Sequence, residues 1–442
     1  MKMKILVIYY LLNKDDRNTI NEHLYSFKRY SDEQCFYLNA AYGIPGFITK
    51  INFDLIVFHY TFLAHFRGWF GGNWYKPIKI CEDLRGYKIA IPQDEYQYTD
   101  ILNKLFLSLN IKTVFTCLPE SEWQKVYPQT ESGLEHYFTV FPGYIDEIAL
   151  EKLVKSKQGH ELRPHKLRPI DIGYRARKVP YWVGRHGLIK WQLMEILLNA
   201  PVKHSLKLDL SNDPRDVFYG DEWYKFLSSC RVVLGCESGA SLHDPTGKIM
   251  KEVDQYVLKH PEASFEEVEK ACFPGLDGNL NLFALSPRHF EACITRTCQA
   301  LVEGEYGGIF KPGVHYIEIK KDWSNIAEVI RQIEDIDFCE RITDNAYRDI
   351  VESGLYTYRN FVMLVLNHVR SVYQFTSGSS SDNSYYLKSL ELRERFPFIF
   401  SPIGFWVAHV KYVVYRLLVK LNLYENYLKL KSRFKKYEIT TI

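Results

Sequence analysis

The chain reads as an α/β protein made of doubly wound, mostly parallel sheets in two domains. Three observations carry that reading. Short apolar runs alternate with helical segments through the first part of the chain, a stretch rich in Lys, Arg and His then interrupts them, and a second series of the same kind follows. At 442 residues the chain is long for one core and suits two.

The first series occupies residues 1–150. Lys4 to Tyr10 is its opening strand. The basic, apolar start MKMKILVIYYLL is short, lacks a small-residue cleavage site and breaks at Asn13-Lys14-Asp15-Asp16, so it reads as a buried strand and not a secretion signal. Asn18 to Tyr30 follows as a helix. Further strands are expected at Phe53–Tyr60, Tyr87–Pro92, Val114–Cys117 and Phe138–Val140. Open sheets of this kind bind ligands outside the carboxyl ends of their strands. His59, Asp94, Glu95 and Thr116 stand at such ends, and His59, Asp94 and Glu95 are candidates to take a proton from a hydroxyl. A single histidine or acid at a strand end also serves as a cap or turn former.

Glu147 to Pro169 marks the boundary, with Lys155 to Arg168 a solvated linker. The second series spans 168–342 and opens with the strand Ile170–Tyr174. Arg175, Arg177, Arg185 and Lys190 lie between that strand and the helix Lys190–Leu198, where open sheets meet phosphate; a solvated basic loop is the alternative. Asp221–Ser229 is a helix and Arg231–Gly235 a strand. The small residues after it, from Cys236 to Ser241, let backbone approach a ligand, and Glu237 and Asp244 suit hydroxyl binding or orienting a base. Neither a phosphate-binding G-x-x-x-x-G-K-[ST] loop nor a G-x-S-x-G elbow is present. Asp254 to Cys272 reads as two helices broken near Pro261, the second capped by Ser264 with Glu267.

Leu285 to Ile317 is the most informative stretch. Ser286-Pro287 starts a helix, with the serine oxygen as cap and proline in the first helical position. Phe290, Ile294, Thr297 and Cys298 mark its buried face, with Glu291 at the edge beside Arg288 and His289. Ala300–Glu303 is a strand, and Gly304, Gly307 and Gly308 let the next loop pass close to a ligand. An ordinary αβ unit with a capped helix and glycine turns accounts for the same residues. A strand to Ile319 follows, then a helix capped by Asp322 that carries Ile326, Val329, Ile330 and Ile333. Thr343 to Val369 is helical, and Phe375–Ser384 is a break.

SPRHFEAC, a strand and a Gly-rich loop resemble the donor-binding segment of GT-B glycosyltransferases of the group 1 type, which act in bacterial polysaccharide and lipopolysaccharide biosynthesis. The resemblance implies two Rossmann-like domains facing a cleft: an acceptor domain at 1–150, a nucleotide-sugar domain at 168–342, and crossover helices at 343–375 returning to the first domain. It implies that Glu291 binds the donor's ribose, with Ser286, Arg288 and His289 near the diphosphate. Gly184-Arg185 and Lys190 are similar to the family's diphosphate-binding pair. The Glu237-Ser238 loop would face the cleft, and the Gln93–Tyr96 segment and His59 would face the acceptor. Many retaining members carry a second glutamate upstream; Phe283 stands there, so neither donor sugar nor stereochemistry follows.

The implied activity is metal-independent transfer of a sugar from a nucleotide-sugar, used as substrate with no cofactor, to a hydroxyl of a glycan or lipid-linked saccharide. Asp335-Ile336-Asp337 follows a helix and reads as a solvated helix end, not a metal site. Net charge is only +3, which does not point to nucleic acid. Nine cysteines without a C-x-x-C pair suit buried thiols in a reducing cytosol. The tail at 385–442 pairs an apolar front (Phe398, Ile399, Phe400, Ile403, Phe405, Trp406) with Lys and Arg. It suits an amphipathic helix on an anionic membrane, hence a protein peripheral to the inner face of the cell membrane, or a helix docked on protein. A sugar-nucleotide epimerase on the same plan and a non-catalytic membrane-associated scaffold are the competing readings.

Overall fold

A computed structural model describes residues 2–12, 18–69, 75–155, 163–200, 206–374 and 384–397, without the side chains of 68–69, 75–77 and 154–155. The tail from 398 onward, the break at 375–383, the Asn13–Asp16 stretch and most of the linker lie outside these residues.

The first sheet contains β1 (Lys4–Tyr9), β2 (Gln34–Asn39), β3 (Asn52–His59), β4 (Arg85–Ile91), β5 (Thr113–Thr116) and β6 (His136–Thr139), in the order β2-β1-β3-β4-β5-β6. All five pairings are parallel. Its inner strands β1, β3 and β5 are buried on both faces, so they read as continuous apolar runs. The second sheet contains β7 (Ile170–Arg175), β8 (Leu208–Ser211), β9 (Cys230–Gly235), β12 (Cys298–Val302) and β13 (Ile317–Ile319), also parallel, in the order β13-β12-β9-β7-β8. Beside it stands an antiparallel hairpin of β10 (Ser238–Ala240) and β11 (Leu282–Ala284). Both sheets start with the strand order of doubly wound folds in which winding reverses beside the first strand.

The lobes are held together at one side. Asp244 N–H donates to Tyr96 O at 2.8 Å, Tyr98 N–H to Asp244 O at 3.0 Å, and Asp100 N–H to Pro245 O at 3.2 Å. Thr99 Oγ1 meets His243 Nε2 at 2.8 Å, and Ala240, Leu280 and Leu282 of the second lobe join the first lobe's core. At the other side, helix 358–372 crosses back: Tyr358, Phe361, Val362, Val365, Leu366 and Val369 pack against β1, β3, β4 and β5.

Several local expectations change. Helix 287–294 stops before Thr297 and Cys298, because Thr295 bonds back to Glu291 O and Arg296 takes φ 49°; Cys298 opens β12. Ser286 occupies the cap position without a side-chain bond. Asn325, not Asp322, caps helix 326–334. Asn18–Tyr30 divides into helices 18–24 and 26–30, and the 343–369 region into 336–346, a π-helical turn at 347–352, and 358–372. Arg168, expected in a solvated linker, is buried, donating to Cys230 O, Thr295 O and Thr297 Oγ1. Strands β2 and β8 were not foreseen. The Ser264–Glu267 capping box forms in full, Asp335 caps helix 336–346, and the nine cysteines are free. Among the described residues no helix is long and apolar enough to cross a membrane.

Truncating the crossover helix on its buried side tests this packing. Leu366→Ala should lower unfolding free energy by about 2–5 kcal/mol in urea titration, while Leu364→Ala, 40% exposed, should stay within about 0.5 kcal/mol of the parent.

Candidate functional site

Winding in the second sheet reverses between β7 and β9, which leaves a crevice beyond their carboxyl ends. Helix 287–294 begins there. Arg288 Nη1 donates to Arg175 O, the last residue of β7, at 2.5 Å, and its guanidinium lies over the Trp223 ring at 5.0 Å. Glu291 Oε2 accepts from the Trp223 indole N–H at 2.7 Å. Its other oxygen makes no hydrogen bond to a described residue. Burial raises the Glu291 pKa, against the Trp223 bond and Arg288.

Glu237, just beyond β9, accepts from Tyr306 N–H at 2.7 Å, and burial raises its pKa. A Cβ on Gly304 would stand 2.5 Å from Glu237 Oε2, so the loop approaches this carboxylate only because the residue is glycine. The His186 ring meets Glu237 O at 3.1 Å. Lys190, half-buried on helix 185–198, bears electrostatically on Cys236 and His186 and forms no ion pair with a described residue. Lys321 acts on Glu237 and His186 in the same way. Ser238 opens β10, half-buried. Cations, a helix start and two acidic side chains thus converge at the crevice.

Other expected residues are placed elsewhere. Arg175 is buried and spends four of its five N–H donors on Asp216 O, Tyr174 O, Asp209 O and Asp209 Oδ1, and it lies over Phe226, so it locks β7 to β8. Arg185 turns outward to Glu266 at 2.9 Å and Glu269 at 3.2 Å, over Phe265. His289 faces inward, 2.9 Å from Gln299 Oε1, and burial lowers it to about 4; it is a core residue, not a diphosphate ligand.

In the first lobe His59 is buried at the end of β3. Its Nδ1 accepts from Thr61 N–H at 3.3 Å, so the ring proton belongs on Nε2, 3.0 Å from His23 Nδ1. Burial, helped by His23, pushes its pKa well below the ordinary value. Glu95 is 0% exposed and accepts from Thr116 Oγ1, Cys117 N–H at 2.9 Å and Tyr127 OH at 2.9 Å. Burial pushes it up to about 7 against those bonds and Arg67. Both are structural, because no substrate hydroxyl can reach them. Asp94 is exposed with φ 56°, its carbonyl taking a bond from Arg67.

Two buried acids of the first lobe face the second: Glu122, which accepts from Asn281 Nδ2 at 3.0 Å, and Glu22. Glu22 lies on helix 18–24, 8% exposed, with no hydrogen bond to a described residue. Burial first, then Asp146 and Glu291, push it up to about 8, while Arg29 pulls it down. Its helix was foreseen, but its burial needs the second lobe and has no local signal. The one available hint was spacing: Glu22, Ser26 and Tyr30 recur every four residues beside Phe27.

No protein-family model matches the sequence, and no curated protein matches it. Among solved structures, TarM is 11% identical over 71% of this chain and 54% of its own length, at a TM-score of 0.40. This chain therefore spans about half of TarM. T4 phage BGT with its UDP-glucose substrate is 10% identical, covering 83% and 99% of the two chains, at 0.47. Anabaena HepE with UDP-glucose is 13% identical, covering 84% and 100%, at 0.42. The architecture is two doubly wound lobes joined at a seam, with a helix crossing back from the second to the first.

Because Glu22 holds its proton more tightly folded than unfolded, stability falls as pH rises from its unfolded value near 4.5 to about 8. Glu22→Gln removes that loss. It should leave the melting temperature unchanged at pH 4 and raise it at pH 8, by roughly 1–3 kcal/mol of stability for a largely desolvated acid.

Proposed function

We propose that the protein is a glycosyltransferase that moves a sugar from a nucleotide-sugar to a hydroxyl of a glycan or lipid-linked saccharide in cell-surface polysaccharide synthesis. One observation carries the reading: Glu291, with one oxygen unbonded, stands beside Arg288 at a helix start in the crevice at the winding reversal, with Lys190 near the end of β9. That set fits a nucleoside diphosphate. Ribose hydroxyls donate to Glu291; the first N–H groups of helix 287–294, Arg288 and Lys190 take the diphosphate. The same groups stabilise the charge that builds on the leaving phosphate as its bond to the anomeric carbon breaks. Glu237 and Ser238 hold hydroxyls of the donor sugar. Asp94, exposed beyond β4, takes the proton of the attacking hydroxyl. The reading requires no metal ion. The acceptor and the membrane tail, which place the protein on the inner face of the cell membrane in the cytoplasm, belong to the same proposal.

A thermal-shift screen of UDP, GDP, CMP and dTDP and their sugars tests it. A nucleotide at about 100 times its dissociation constant should stabilise the protein by about 2.7 kcal/mol, and Glu291→Ala should abolish the response. No response from the parent to any of them removes the donor site and favours a scaffold. Incubation with and without an added acceptor separates transfer from epimerisation, since an epimerase alters the donor sugar without transferring it. Asp94→Asn should lower kcat roughly 10²–10⁴-fold while leaving the nucleotide shift intact; unchanged turnover would take the proton acceptor away from Asp94.

A further inference from the structure

We propose that Glu22 is the second half of a carboxyl clamp: together with Glu291 it grips the vicinal diol of the donor's ribose from the opposite side of the gap. This deepens the reading above and rests on the donor site being there. The placement follows from two helices. A Cβ on Gly220, the cap of helix 221–229, would lie 3.9 Å from Asn18 Oδ1 at the start of helix 18–24. Glu22 is one turn beyond Asn18, and Tyr224 is one turn beyond Gly220, so the two helices carry Glu22 and Tyr224 toward each other. Tyr224 duly feels Glu22 first among charges, then Glu291 and Asp146. Trp223, its neighbour, is the residue bonded to Glu291.

The charges around Glu22 come from every element packed there. Asp146 precedes helix 147–155, Glu291 lies on helix 287–294, and Arg29 on helix 26–30 is the cation acting on Glu22. Tyr224 and Tyr358 are the neutral hydroxyls. Arg29 is committed to Asp146 at 2.5 Å, and Asp146 also takes the Tyr30 hydroxyl at 2.9 Å. Among the described residues, nothing donates a hydrogen bond to Glu22 or to the second oxygen of Glu291. Two such carboxyls across a gap repel when ionised and are costly to bury. A cis-diol is the complementary ligand, because it brings two O–H donors on adjacent carbons, one for each carboxyl. A single hydroxyl or a phosphate does not satisfy both. The clamp thus selects ribonucleotides over deoxyribonucleotides and couples donor binding to the meeting of the lobes.

Calorimetric titration of the full chain with UDP and 2′-deoxy-UDP, or with the GDP pair if GDP is the nucleotide that stabilises, tests the clamp. The parent should bind the ribonucleotide at least about tenfold more tightly than its deoxy form. Glu22→Ala should weaken ribonucleotide binding by about tenfold and bring the two affinities together. Glu22→Gln, expected to fold at least as stably as the parent, shows that any loss of discrimination is not unfolding. Equal binding of the ribonucleotide and its 2′-deoxy form by the parent overturns the clamp. So does a Glu22→Ala protein with parental affinity and discrimination, or one that loses only turnover, which would move Glu22 to acceptor chemistry. If Glu291→Ala abolishes binding while Glu22→Ala does not, the clamp falls and the donor site stands. If neither variant changes binding, both fall.

Discussion

Three main-chain hydrogen bonds between residues 96–100 and 244–245 fix how the two lobes can face each other. Main-chain bonds cannot be retuned by side-chain rotamers, so the seam holds its register. It also occupies the carboxyl ends of β4 and β5, since the β10–β11 hairpin packs into the first lobe's core there. That contact buries Glu95 and leaves Asp94 at the margin. On the other side, helices 18–24, 221–229 and 287–294 bring Glu22, Trp223 and Glu291 into one neighbourhood.

Burial raises the pKa of Glu95, Glu237, Glu291 and Glu22 alike, so direction of shift alone does not separate structural from functional acids. Hydrogen-bond satisfaction does. Glu95 is met by three donors from its own lobe and is fully buried. Glu237 is held by loop N–H groups and Glu291 by an indole N–H, which orients each carboxylate and leaves acceptor positions over. Glu22 accepts none from a described residue. The same criterion sorts the cations: Arg67, Arg168 and Arg175 spend their donors on main-chain oxygens, whereas Lys190 has no acidic partner among the described residues.

This criterion also explains what the sequence could and could not disclose. Strands buried on both faces announce themselves as apolar runs, so β1, β3, β4, β7 and β9 were legible. β2 and β8, at the edges of their sheets and carrying half-buried residues, were not. The Ser264 capping box was legible because its partners are three residues apart. Glu291 was legible through the Ser-Pro helix start and its resemblance. Arg185 and His289 carried the same local signals and went elsewhere, since three carboxylates of a neighbouring segment capture one and Gln299 of the adjacent strand captures the other. Arg175 was lost to Asp209 and Asp216 in the same way. Partners distant in sequence decide these cases, and periodicity contains no term for them.

Glu22 shows why such a residue persists. A neutral side chain of similar size would remove a buried acid that has no hydrogen-bond donor among the described residues, and stability alone gives no reason to keep it. Its neighbours make the arrangement worse in the empty state, because Arg29 is already committed to Asp146. An acid held this way gains most from a ligand that brings its own donors, and the gain is larger than for a carboxylate already bonded. The cost of burying this acid and its readiness to take a donor therefore have a common origin. It lies in the interface between the lobes and in neither lobe alone.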